Sequence, residues 1–163
     1  MAYSVPAVVN TLLDMAEQSK IYDMTPMKIQ KLVYYAQAWY LKIYNAPLID
    51  EYFSRWHYGP VIPSLYHNLK IFENRPVTRK LGNMIEQDGR IQYMSISIDD
   101  PQIVAFLDHI LRIYGCYSAI QLSEMSHQEG TAWKKGGGGN GTPITLKEMI
   151  EEVDAIKNDT IGG

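Results

Sequence analysis

The sequence predicts a mainly α fold: a compact helical bundle around a central aromatic-rich helix, with a small antiparallel β-hairpin. Three observations predict it. Apolar residues recur with the 3.6-residue period of an amphipathic helix in several separate stretches, each with a recognisable start or stop. One stretch, KIQKLVYYAQAWYLKIYN from Lys28 to Asn45, is apolar or aromatic on nearly every side, so it must be packed on more than one face. Finally, Asp88-Gly89 separates Met84-Ile85 from the alternating stretch RIQYMSISI, and Asp-Gly between such runs is the strongest short-range hairpin signal.

Ser4 precedes Val5, Val8, Val9, Leu12, Leu13 and Ala16. That spacing is an amphipathic stripe with a hydroxyl N-cap, and Pro6 is tolerated in the first turn, so a helix is expected from about 5 to 19. Thr25-Pro26 starts the second helix, with proline at the first helical position. Ile29, Leu32, Val33, Ala36, Tyr40 and Ile43 form its main stripe, widened by Trp39 and Tyr44. Lys28, Lys31, Tyr35 and Lys42 form its polar strip, and Asn45 is suited to the left-handed conformation that ends it. Tyr52 to Tyr58 is aromatic-rich and suits an extended chain, Gly59-Pro60 is a break, and Pro63-Ser64 opens a short helix carrying Leu65 and Leu69. Asp99-Asp100-Pro101 caps a helix with Ile103, Phe106, Leu107, Ile110, Leu111 and Tyr114 on one face, stopped by Gly115. Ser118 with Gln121, and Thr145 with Glu148, each match a capping box. The second opens a last helix with Leu146, Met149, Ile150, Val153 and Ile156 on one side. Residues 1–158 are expected to form one domain, with 159–163 a flexible tail.

A chain of 163 residues that is 46% hydrophobic and 20% charged has the size and composition of one globular domain with its own core. Twelve tyrosines against three phenylalanines point to half-buried positions and interfaces, since tyrosine has an apolar body and a polar tip. Residues 1–80 carry a balance of +3 and residues 81–163 a balance of −6. That polarity suits steering of a charged protein partner, but it lacks the concentrated basic stripe of a nucleic-acid binder, so direct nucleic-acid binding is not expected. A single cysteine, Cys116, excludes an intrachain disulfide and fits a cytoplasmic location. With no 18-residue apolar run and no leader pattern, no membrane span is expected.

The candidate chemistry is thin. Gly136, Gly138 and Gly141 formally satisfy G-x-G-x-x-G, but two lysines precede the run and Thr142-Pro143 follows it. Neither the strand and helix of a dinucleotide site nor the Lys-Ser/Thr of a phosphate loop is in register, so a flexible loop is expected. His57, His67, His109 and His127 have no partner at metal-ligand spacing. His127 follows a helix end, where a histidine bonds the last carbonyls. Cys116, between Gly115 and Tyr117, reads as a small buried hydrophobe rather than a nucleophile. Asp99-Asp100 reads as a cap and Glu151-Glu152 as a solvated face. No catalytic residue, metal or cofactor is expected, and the chain does not read as an enzyme.

Three stretches together resemble a known family: KIQKLVYYAQAWYL (Lys28–Leu41), WHYGPVIPSLYHNL (Trp56–Leu69) and YGCYSAIQLSEMSHQEGTAW (Tyr114–Trp133). In order and spacing they resemble the Panacea domain, or SocA-like antitoxin domain, over about residues 4 to 156. The resemblance implies a bacterial or prophage-encoded antitoxin that neutralises a cognate toxin protein by direct contact. In one branch of the family it also implies a proteolytic adaptor that presents a client to a cellular protease. The alternative is a proteolytic adaptor or a phage host-takeover factor that uses the same surface to deliver or sequester a different client. Some members carry an added DNA-binding segment; none is expected here, nor is regulation of its own operon through DNA. The stretch Pro76 to Ile98 matches the family least and is expected to tune partner choice.

An interface of about 800 Å² on this chain would suffice for tight inhibition. Tyrosine and tryptophan dominate binding hot spots, and a rigid Gly-Pro turn would hold them pre-ordered. Gln30, Tyr34, Tyr35, Trp56, Tyr58, Pro60 and His67 are therefore expected as partner-binding or turn-shaping residues, with Lys31 as a rim charge. On this reading Tyr34→Ala weakens neutralisation more than it lowers the melting temperature.

Overall fold

The structure is a computed structural model that describes residues 1–162, with side chains described for residues 1–82 and 84–156. Two long helices open the chain, α1 (Val5–Gln18) and α2 (Pro26–Tyr44). Their caps are those the sequence predicts. The Ser4 hydroxyl accepts from the Ala7 amide, the Thr25 hydroxyl from the Lys28 amide, and Asn45 ends α2 at φ 52°. A tight hairpin of β1 (Phe53–Trp56) and β2 (Gly59–Val61) follows, then α3 (Pro63–Leu69) and a 3₁₀ turn over Lys70–Phe72. The arm of β3 (Asn83–Gln87) and β4 (Arg90–Met94) turns at Asp88 and Gly89, both at positive φ, as an Asp-Gly hairpin requires. The chain closes with α4 (Pro101–Tyr114), α5 (Ala119–Ser126), α6 (Ala132–Lys135), β5 (Pro143–Ile144) and α7 (Leu146–Gly162). The capping box of α5 is complete, with Ser118 and Gln121 each satisfying the other's backbone. The flexible tail expected over 159–163 falls outside the residues whose side chains are described.

The fold is mainly α, and α2 is its axis. It packs against α1, α3, α4, α5, α7 and β2. Every residue from Lys28 to Ala38 is buried, which is every direction around three turns of helix. Ile29, Leu32, Val33 and Ala36 supply the aliphatic contacts. Tyr34 meets Phe53 edge-on at 5.1 Å, and Tyr35 stacks on Tyr114 at 4.2 Å, geometries that add to plain area burial.

Of the polar strip expected on α2, only Lys42 is exposed. Lys28, Lys31 and Tyr35 are buried, whereas Ile43 and Tyr44, assigned to the apolar stripe, are exposed. The reason is that other chain segments supply partners. Lys28 Nζ donates to Asp23 and to the Gly115 carbonyl, each at 2.7 Å. Gln37 Oε1 accepts from the Leu48 and Ile49 amides. A buried polar head is tolerated when it is hydrogen-bonded in this way, and here it ties the helix to chain segments that would otherwise lack backbone partners.

Three strands form one small sheet in the order β2-β1-β5, antiparallel throughout, with Trp56 opposite Gly59 and Phe53 opposite Ile144. Gly59-Pro60, expected as a break, lies inside β2, and the turn falls on His57-Tyr58. The anchors of the β3–β4 arm to the helices lie at its base. Asn10 on α1 exchanges two 2.7 Å bonds with the Leu81 backbone, and the Thr11 hydroxyl accepts from the Ile98 amide at 2.8 Å. Beyond that base, Met84, Ile91 and Tyr93 are exposed.

The glycine run is not a flexible loop. It wraps over Arg55, whose backbone amide donates to the Thr142 carbonyl and whose carbonyl accepts from the Gly141 amide. A Cβ at Gly136 would lie 2.0 Å from the Arg55 guanidinium carbon, so glycine is required there by contact. Cys116, expected inside, is exposed, because Gly115 beside it takes the buried place against Leu111 and Ile21.

Candidate docking site

The β1–β2 turn is held from behind by side chains of the two flanking motifs. Trp133 Nε1 donates to the Trp56 carbonyl at 2.7 Å. His127 Nε2 lies 2.9 Å from the His57 carbonyl. The Ser123 hydroxyl donates to the Tyr58 carbonyl at 2.8 Å. Lys31 Nζ donates to the Pro60 carbonyl at 3.2 Å, and the Gln30 amide both donates to the Ile62 carbonyl and accepts from its N–H. Backbone groups of five residues from Trp56 to Ile62 are thus claimed by α2 on one side and by the α5–α6 segment on the other. A turn fixed this way has its backbone polar groups satisfied within the protein.

What it displays is aromatic. Tyr58 is 62% exposed, Tyr66 on α3 is exposed, and the Trp56 and Tyr66 rings meet edge-on at 4.9 Å. With Pro26, Met27 and Val61 they wall a groove of about 390 Å³ whose lining also includes Gln30, Lys31, His57 and Glu73. Such a mostly apolar groove with few polar groups is the usual form of a binding site, and exposed tyrosine and tryptophan are the usual anchors.

The eight predicted residues divide cleanly. Gln30, Lys31, Trp56 and Tyr58 line the groove. Pro60 is a buried strand residue that shapes it. Tyr34 and Tyr35 are enclosed in the core against Phe53, Tyr114 and Glu152; Tyr34→Ala is therefore a core truncation, against expectation. His67 is exposed on α3 beside the Tyr66 ring, outside the groove lining. Lys31 is 1% exposed and not a rim charge; burial lowers its pKa from 10.5 to about 7. Gly59 makes room for it. At φ +112° a side chain would be strained, and a Cβ would lie 2.7 Å from Lys31 Cε and 2.5 Å from Ser126 Oγ.

Sequence reasoning missed Tyr66, Met27 and Pro26 as groove walls. It also missed Glu152, expected on a solvated face. Glu152 is buried, and its Oε1 accepts from the Tyr34 hydroxyl at 3.1 Å and the Ala132 amide at 2.7 Å. Burial raises its pKa, and Oε2 has no partner among the described residues. The signal for Tyr66 was its residue type, an aromatic in the same WHYGPVIPSLYHNL stretch as Trp56 and Tyr58.

A second concavity of about 470 Å³ contains His57, Ser123, Glu124, His127 and Trp133. Its Ser123, His127 and Trp133 side chains are committed to structure. His127 Nδ1 faces the Ser123 carbonyl, as expected for a histidine closing a helix, and its ring lies 3.9 Å from that of Trp133. Ser126 donates to the Ser123 carbonyl. Among the described residues no cluster of His, Cys, Asp and Glu could hold a metal ion, and no single helix is long and apolar enough to cross a membrane.

The arrangement is a helical body whose buried polar side chains fix a displayed aromatic turn. Comparison with known proteins supplies the lineage. The chain matches the family described as "Antitoxin SocA-like, Panacea domain" over residues 29–134. It is 30% identical over 143 residues to "Antitoxin SocA" of Caulobacter vibrioides (strain NA1000 / CB15N), covering 86% of this chain and 73% of that protein. No solved structure matches. The chain belongs to the SocA-like Panacea family of antitoxins. Membership points to an antitoxin role with a toxin as partner and to a regulatory, non-enzymatic role.

Proposed function

We propose that this protein neutralises a cognate toxin by direct binding, with the groove between α2, the β1–β2 turn and α3 as the contact surface. The observation that carries the reading is the rigid display of Trp56, Tyr58 and Tyr66, two of them exposed, on a turn tied down from two sides. Pre-ordering of that kind removes much of the ordering cost of association. Trp56, Tyr58, Gln30 and Lys31 act at the groove, Tyr34, Tyr35 and Pro60 hold its shape, and His67 extends the contact along α3. The protein works in the cytoplasm and needs no cofactor.

The test is co-expression with the product of the adjacent small reading frame. Wild-type protein rescues growth and co-purifies with that product. Tyr58→Ala combined with Tyr66→Ala loses rescue and lowers affinity at least tenfold, about 1.4 kcal/mol or more, with an unchanged melting temperature. Full rescue by the double variant refutes the site. Repeating rescue in a protease-deficient host separates blocking from delivery: rescue that persists there means the toxin is blocked, and rescue that vanishes means it is handed to a protease.

A further inference from the structure

We infer that the groove receives a segment of the partner protein bearing a side-chain carboxylate, and that this carboxylate acts as the counter-ion of Lys31. The inference rests on the neutralisation reading and specifies what the partner must present. Three basic side chains are buried among the described residues: Lys28, Lys31 and Arg55. Two have an internal carboxylate. Lys28 pairs with Asp23, and Arg55 pairs with Glu148 while also donating to the Ala132 and Pro143 carbonyls. Lys31 has only the Pro60 carbonyl at 3.2 Å, and no carboxylate of the described residues reaches it. An ammonium carries three donors, so two remain unspent.

The walls around Lys31 decide what can cover it. Pro26, Met27, Trp56 and Val61 are apolar, and Lys31 is already 1% exposed with one hydrogen bond, so an occupant that was apolar throughout would leave its charge uncompensated. Burying a charge without a partner is strongly unfavourable. A carboxylate in the same space meets an attraction that water screens weakly. Glu73, the acidic residue in the lining, is exposed at the rim and makes no ion pair with Lys31. Burial holds the amine near a pKa of about 7 in the free protein, and an arriving carboxylate draws it back to the charged form. Gly59 keeps the space for this head group at a backbone angle that favours glycine, so the lysine is accommodated by design of the turn.

Two probes of matched shape test the inference in the free protein: phenylacetate and phenylacetamide, titrated while the Lys31 side-chain and Trp56 indole resonances are followed. Phenylacetate is expected to bind at least tenfold tighter, and Lys31→Met to erase that preference. The product of the adjacent reading frame is then titrated by calorimetry. Lys31→Met is expected to weaken it at least tenfold with an unchanged circular dichroism spectrum, and an Asp→Asn or Glu→Gln replacement at one position of that product to weaken the wild-type complex equally. Equal binding of the two probes, full affinity of Lys31→Met, or no sensitive acidic position overturns the inference. So does self-association through the groove, which would make a second copy the occupant. If wild-type protein ignores the neighbouring product yet still prefers phenylacetate, the neutralisation reading fails and the carboxylate site stands.

Discussion

Lys31→Met keeps the length of the side chain and removes its charge, so it isolates the cost of the buried ammonium. Burial lowers the Lys31 pKa from 10.5 to about 7. At about 1.4 kcal/mol per pKa unit, holding the charged form inside costs about 5 kcal/mol. The folded protein binds fewer protons than the unfolded chain between those two values, so stability rises with pH across the window and the full penalty applies below it. The substitution also strips the Pro60 carbonyl of its donor, a loss of about 1–2 kcal/mol. Near pH 6 the variant should therefore be more stable by about 3 kcal/mol, or roughly 6–12 °C in melting temperature. Near pH 9.5 the remaining penalty is about 1–2 kcal/mol, and the two proteins should match. Urea unfolding followed by tryptophan fluorescence at several pH values reads this directly. A stability difference that stays constant with pH, or a variant less stable near pH 6, would refute the assignment of Lys31 as a buried, unpaired cation.

Other substitutions probe the supports of the turn. Tyr34→Phe removes a donor from Glu152, whose carboxyl burial already raises above 4.5. A raised carboxyl pKa means stability is lost as pH climbs through that region, so the variant should be about 1–3 kcal/mol weaker at neutral pH and close to wild type in acid. Gly136→Ala drives a methyl into the Arg55 guanidinium and should break its pairing with Glu148. A loss of about 3–5 kcal/mol is expected in thermal unfolding. Trp133→Phe keeps an aromatic ring but drops the bond to the Trp56 carbonyl; it should cost about 1–2 kcal/mol and speed amide exchange within β1 and β2.

Local signals made most helices legible. Thr25-Pro26 and Asn45 bracket α2 because a cap hydroxyl, a proline and a left-handed asparagine each act within a few residues. Asp88-Gly89 located its hairpin for the same reason. The polar side chains of α2 were misread because their partners are remote. Lys28 finds Gly115 across 87 residues, and Lys31 finds Pro60 across 29. Periodicity scores lysine as solvent-seeking and cannot see a carbonyl that another segment delivers. The two-residue β5 offers no alternation to detect. The glycine run resembled a linker because composition does not reveal that Arg55 lies beneath it. At the docking site, the aromatic walls Trp56 and Tyr58 were legible from residue type, while the burial of Tyr34, Tyr35 and Lys31 required knowing which helices surround α2.

The brackets behind the displayed turn arrive late in synthesis. Ser123, His127 and Trp133 grip carbonyls that lie 65, 70 and 77 residues earlier in the chain. A nascent polypeptide that has not yet reached Trp133 has made the aromatic anchors without the clasp that orients them. Premature termination or clipping in the α5–α6 segment therefore yields a product that retains every groove-wall side chain yet lacks both the clasp behind the turn and α7, which packs along α2.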